Sequence, residues 1–148
     1  MSISLYDRPA NRFVATFIGN PPMNIIRMRL DREGGRIKGT GSQLELWLNG
    51  SGKSTLPVQT GGEVDLGIRP EHIFIGGEIG EPVGGELHVS LVEPLGPEKL
   101  VHLTAPDSTV IITKVPTSTP VVAGDKPEVK IDTAAAHAFD VDSGIALL

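Results

Sequence analysis

The chain has 148 residues, the size of one domain and enough to bury about two-thirds of the surface its unfolded form exposes. Its 18 glycines and 12 prolines exclude a bundle of helices, which both residues interrupt. Its 39% hydrophobic content excludes a disordered chain. It has no cysteine, and so no disulfide, thiolate metal site or cysteine nucleophile.

The net charge of −5 is unevenly spread. Residues 1–40 carry seven basic groups, Arg8, Arg12, Arg27, Arg29, Arg32, Arg36 and Lys38, against three acids, and the rest carries six basic groups and fifteen acids. A basic start raises nucleic acid as a partner. One Trp, one Tyr and four Phe leave few platforms on which bases stack, and charged side chains commonly guard edge strands. The sequence therefore points away from nucleic acid. No apolar run approaches the roughly 20 residues of a membrane span, and no secretory signal opens the chain. The expectation is a soluble, cytoplasmic domain.

The first predicted element is a short helix. Pro9 suits a first helical turn, with Asp7 as its N-cap. Phe13, Val14, Phe17 and Ile18 then fall on one face, and Gly19 followed by Pro21-Pro22 ends the helix. From Ile26 the period changes to two. Alternation at Ile26–Leu30, Leu44–Leu48, Val64–Ile68, Leu87–Leu91 and Val129–Ile131 predicts half-buried antiparallel strands. Apolar runs at Ile73–Ile75, Leu100–Leu103, Val110–Ile112 and Val121–Val122 predict further strands. Turn signals separate them at Gly34-Gly35, Asn49-Gly50, Gly61-Gly62, Gly76-Gly77, Gly84-Gly85, Pro106-Asp107 and Gly124-Asp125. Many short strands with glycine-rich turns give an all-β fold, a small barrel or sandwich, preceded by one helix.

The string Gly50-Ser51-Gly52-Lys53-Ser54-Thr55 looks like the end of a phosphate-binding loop. The full pattern needs a glycine five residues before Gly52, where Trp47 stands, and a helix after it, which Pro57 opposes. A polar hairpin turn explains the string better, and an independent ATPase has no acidic residue here to hold Mg²⁺. Gly50, Gly52, Lys53 and Ser54 remain candidates for a weak anion nest. His72, His88, His102 and His137 show no metal-ligand spacing, and no nucleophile-elbow sequence occurs.

Two segments stand out. In Leu66-Gly67-Ile68-Arg69-Pro70-Glu71-His72-Ile73, Arg69 and Glu71 flank a proline at a strand end, as a partly buried ion pair would. In Val92-Glu93-Pro94-Leu95-Gly96-Pro97-Glu98-Lys99-Leu100, a proline-rich loop joins two strands, and Glu93 and Glu98 offer two carboxylates. Acid–base work by that pair lacks a convergent base, nucleophile or metal. Presenting acceptors to backbone or to a partner is the favoured role.

These segments, with the Tyr6–Gly19 string, Pro21-Pro22-Met23-Asn24 and the closing Phe139–Gly144, resemble the C-terminal part of ATP-binding subunits of carbohydrate-type ABC importers, the maltose, glycerol-phosphate and multiple-sugar group. The resemblance implies a junction segment over 1–20 leading from a nucleotide-binding domain, and an OB-like TOBE regulatory domain over 21–148. It implies that Arg69, Pro70, Glu71, His72, Glu93, Gly96 and Glu98 serve structure or interface rather than chemistry. It implies no catalysis and no cofactor in this chain, since ATP and Mg²⁺ belong to an upstream domain whose motifs precede Tyr6. The implied partners are a second copy of the regulatory domain, the membrane subunits of the transporter and a regulatory protein. The implied location is the cytoplasmic face of the cell membrane. Relatives with TOBE-type domains that bind oxyanions give the alternative, a small-ligand barrel for an oxyanion or a sugar.

Overall fold

The computed structural model describes residues 8–48 and 56–147. Within them the chain is nearly all strand. One helix, α1 (Arg12–Phe17), precedes eleven strands in chain order: β1 (Asn24–Glu33), β2 (Arg36–Gly41), β3 (Leu44–Trp47), β4 (Glu63–Ile68), β5 (Ile73–Ile75), β6 (Glu81–Pro82), β7 (His88–Leu95), β8 (Glu98–Thr104), β9 (Val110–Pro116), β10 (Val129–Ile131) and β11 (His137–Phe139). All pairings are antiparallel. They form a five-stranded sheet in the order β11-β4-β1-β2-β3 and two three-stranded sheets, β5-β10-β6 and β7-β8-β9. The expected all-β, OB-like architecture is what the chain adopts.

The alternating residues behave as their period requires. Ile26, Met28 and Leu30 of β1 and Leu44 and Leu46 of β3 enter one core, with Val64, Leu66 and Ile68 of β4 and Val101 and Leu103 of β8. Each fully buried aliphatic side chain contributes about 1.5–3 kcal/mol of transfer free energy. The β1–β2 hairpin turns on Gly34-Gly35, both at positive φ (57° and 80°), as a two-residue loop of the primed type demands. Asn24 stitches the five-stranded sheet to β9: its amide donates to the carbonyls of Ile68 (3.1 Å) and Ile112 (2.9 Å) and accepts from the Ile112 amide (2.8 Å).

Several expectations need correction. The helix starts at Arg12, not at Pro9, because Asn11 is the N-cap, its side chain accepting from the Val14 amide at 2.9 Å. Asp7 lies outside the described residues. Val121–Val122 forms no strand; Val121 is buried and Val122 exposed beside the Gly124 turn. The proline-rich "loop" at 92–100 is strand. Leu95 pairs directly with Glu98, so Gly96-Pro97 is a two-residue turn, with Gly96 at φ 74°. Pro94 is tolerated because β7 is an edge strand. Leu91 was expected inside with Leu87 and Val89, but the register slips between Val89 and Leu91 and turns Leu91 outward. Among the described residues, no helix is long and apolar enough to cross a membrane.

The strand β4 departs most from its pattern. It was read as half-buried, yet Asp65 and Gly67 are buried along with Val64, Leu66 and Ile68. Its second face is covered by a smaller cluster of Ala15, Met23 and Phe139. Gly67 is glycine because a Cβ there would stand 2.8 Å from the Phe139 ring and closer still to the Met23 sulfur.

Candidate functional site

The chemistry-bearing residues gather where α1 meets the barrel. Arg69 follows β4 and is fully buried. Its Nη1 donates to the carbonyls of Ala15 (3.2 Å) and Ile18 (2.6 Å), acceptors that a helix leaves open at its C-terminal end. Arg69 thus closes the last turn of α1 from the side of the barrel. Pro70 turns the chain into a 3-10 turn over Pro70–His72, and this leaves Glu71 exposed. The His72 amide donates to the Arg69 carbonyl (3.0 Å) and its own carbonyl accepts from Asp132 (3.0 Å). The string at 69–72 is therefore a structural corner.

A second anchor lies on the same side. Asp65, 3% exposed, sits between two arginines. Arg27, its direct partner across β1–β4, donates to it through Nε (3.1 Å) and Nη2 (3.3 Å). Arg12 of α1 donates to Asp65 Oδ2. The bonds to Asp65, ahead of its charge, raise the pKa of Arg27. A buried carboxylate requires such partners. The closing turn completes the attachment: the Arg12 amide donates to the Gly144 carbonyl at 2.7 Å, and Asp140 Oδ2 accepts from the amides of Asp142 (3.1 Å) and Ser143 (2.8 Å). The Ser143 bonds, backbone first, hold the Asp140 carboxyl below its usual range.

The outward side of α1 is bare. Phe13 and Phe17 are each 73% exposed and stack with ring centroids 5.8 Å apart. An open groove of about 640 Å³ runs beside them, walled by Phe13, Thr16, Ile25 and Ile145.

The remaining candidates lie elsewhere. Glu93 meets His102 Nε2 across β7–β8 at 2.5 Å. Glu98 opens β8 opposite Leu95 and is exposed. The two carboxylates stand on different rungs of the β7–β8 ladder, Glu93 opposite Leu100 and Glu98 opposite Leu95. Gly96 serves the turn. Gly50, Gly52, Lys53 and Ser54 lie outside the described residues. No metal-ligating cluster occurs among the described residues. Asp65, Arg12, Arg27 and Asn24 were not singled out from sequence; the available signal was an acid set among apolar residues in Val64-Asp65-Leu66.

Comparison with known proteins matches residues 19–73 to the MalK OB fold domain and residues 66–139 to the TOBE domain. The chain is 38% identical over 140 residues to the sn-glycerol-3-phosphate import ATP-binding protein UgpC of Cereibacter sphaeroides, covering 95% of this chain and 36% of that protein. It is 36% identical over 143 residues to the maltose/maltodextrin import ATP-binding protein MalK of Vibrio parahaemolyticus, covering 95% and 37%. It is also 36% identical over 146 residues to the alpha-glucoside transport ATP-binding protein AglK of Rhizobium meliloti, covering 95% and 38%. The chain thus spans little more than a third of the length of these relatives. Among solved structures, the cytoplasmic molybdate-binding protein ModG shares the fold, with TM-score 0.55 and 14% identity over 78% of this chain and 94% of that one.

Proposed function

The chain belongs to the TOBE domain family, and on that premise we propose that it is the regulatory and dimerisation module of an ATP-binding subunit in an ABC importer for a sugar or related solute. Its work is positional. ATP and Mg²⁺ are handled by other parts of such a subunit, and this module performs no catalysis. It works at the cytoplasmic face of the membrane, with the transporter's membrane subunits, a second copy of itself and a regulatory protein as partners.

One observation carries this reading. The helix α1 is bound on one side to the barrel by Arg69 and Asp65, and presents the stacked Phe13–Phe17 pair on the other. Exposed aromatic patches of this kind mark surfaces that meet another domain or chain. A helix so held moves with the barrel, so force on the aromatic face reaches the sheets without slack. The ATP-binding part of a subunit is the surface expected to cover it.

Two measurements test the reading. In an ATP-binding subunit that carries this module, Phe13→Ser with Phe17→Ser is expected to leave ATP binding intact and to lower transport-coupled hydrolysis. Unchanged coupling would overturn the junction role. Calorimetry of this chain with molybdate, phosphate, maltose and Mg-ATP is expected to show no binding heat. Saturable binding of an oxyanion or a sugar would favour the small-ligand barrel instead.

A further inference from the structure

The five-stranded sheet does not end at β11. Ala146 bridges antiparallel to Phe139 of β11, and Ile145 bridges antiparallel to Asn11. The Leu147 amide donates to the Ala138 carbonyl (2.8 Å), and the Ala146 amide donates the other way, to the Ala10 carbonyl (3.0 Å). The Arg12 amide in turn donates to the Gly144 carbonyl (2.7 Å). Residues 145–147 therefore lie between β11 and the segment 10–12 that enters α1. Through them the entry segment becomes the outer edge of the sheet.

The two sides of this short ribbon differ in kind. On the β11 side the closing turn is built from its own residues. The Gly144 amide donates to the Asp140 carbonyl and the Asp140 amide to the Ile145 carbonyl, both at 2.8 Å. The Asp140 carboxylate caps the amides of Asp142 and Ser143, and the Ile145 amide donates to Ser143 Oγ at 3.1 Å. Gly144 stands at φ 75°, as the residue that closes a helical turn does. None of these bonds uses the entry segment, so the turn keeps its shape as a unit. On the outer side the contact is thin. Of residues 10–12 and 143–146 only Gly144 is buried, and Ile145 is 60% exposed. Two backbone bonds hold the sides together, with Arg12 lying across the turn, its Nη1 3.4 Å from the Val141 carbonyl. A contact with so little buried apolar area opens at lower free energy than the core beneath it.

We propose that the closing turn is a latch on the junction. Closed, it makes the entry segment a strand of the barrel's sheet and fixes the start of α1. Open, it leaves α1 held by Arg69 at its end and by the Arg12–Asp65 bond, free to tilt about those points. The state of the latch then sets how firmly a pull on the chain ahead of residue 10 reaches β11 and β4. This use rests on the junction reading above; the latch itself does not.

Amide exchange on the chain tests the latch. Protection factors at Arg12 and Ala146 are expected to agree within about threefold and to lie at least about tenfold below those at Gly144 and Leu147. Protection at Arg12 and Ala146 equal to that at Gly144 and Leu147 would overturn the proposal. A disulfide gives the second test. Asn11 and Ile145 form a non-hydrogen-bonded pair, whose Cα atoms stand about 4.5 Å apart, within the range a disulfide spans. The chain has no cysteine of its own. In Asn11→Cys with Ile145→Cys, oxidation is expected to raise protection at Arg12 and Ala146 at least about tenfold over the reduced form. The reduced form carries the same loss of the Asn11 cap and serves as the control. Protection unmoved by oxidation, or failure of the pair to oxidise, would overturn the latch. The same pair in an ATP-binding subunit that carries this module separates the latch from its use. Oxidation there is expected to leave ATP binding intact and to lower transport-coupled hydrolysis at least about threefold, with recovery on reduction. A lock that forms and protects while hydrolysis is unchanged would leave the latch standing and overturn the junction reading.

Discussion

The guanidinium of Arg69 donates to the carbonyl of Ile18 at 2.6 Å, so a buried cation at the end of β4 closes the last turn of α1. The helix has only six residues, too few to persist alone in water. The Asn11 cap alone does not hold it; this contact and the Asp65 link bind it to the barrel.

Removing the guanidinium leaves the carbonyls of Ala15 and Ile18 without this donor. Arg69→Met is expected to cost about 2–4 kcal/mol in urea unfolding. Amide exchange at Ala15 and Ile18 should rise more than exchange in β1 or β8. Arg69→Lys keeps the charge but not the planar fork, and is expected to recover less than half of the loss.

Asp65 predicts a graded series. Asp65→Asn removes the buried charge that Arg12 and Arg27 share, and is expected to cost about 1–3 kcal/mol. Arg27 is half exposed, so water screens its loss, and Arg27→Gln is expected to cost clearly less than Asp65→Asn. Arg12 also carries the link to α1, so Arg12→Gln should fall between them. A double-mutant cycle on Arg12 and Asp65 should give a coupling energy of about 1 kcal/mol or more.

The strands were legible because their apolar residues recur every second position, a pattern that burial of one face enforces. The helix was legible in its length and its stop. Its orientation was not. Sequence periodicity marks Phe13 and Phe17 as a face but does not say whether this chain or another covers it. The double burial of β4 was hidden for a related reason. Asp65 and Gly67 read as the solvent side, and only tertiary contact shows Asp65 neutralised by arginines from two distant segments and Gly67 pressed by Phe139. Arg69 stood out in the sequence, but its bond to the Ile18 carbonyl, fifty-one residues earlier, did not. Local spacing finds charges; it does not find backbone carbonyls on another element.

Asn24 offers a test of how the sheets are joined. Its side chain both donates to and accepts from β9 while donating to Ile68. Asn24→Ala is expected to cost about 1–3 kcal/mol. Asn24→Asp is expected to cost more, because a carboxylate cannot donate to the carbonyls of Ile68 and Ile112 and would repel them. A cost for Asn24→Asp well below that of Asn24→Ala in urea denaturation would show that only the acceptor function of Asn24 matters.

Acid should loosen the closing turn. The Asp140 carboxyl is lowered from its ordinary 3.8 by the Ser143 backbone bond first. Asp107 is lowered from 3.8 chiefly by its bond from the Thr109 backbone. A carboxyl whose folded pKa lies below its unfolded value adds stability that is complete above the unfolded value. That stability is lost as pH falls through the folded one. The urea midpoint is therefore expected to be flat in these two groups from pH 8 to about pH 5 and to fall below about pH 4. Asp140 holds the turn whose Gly144 carbonyl receives the Arg12 amide, so protonation should also speed amide exchange in α1. Asp140→Asn removes the titration and is expected to flatten part of the acid slope. An acid slope identical in wild type and Asp140→Asn would show that this turn does not report the pH.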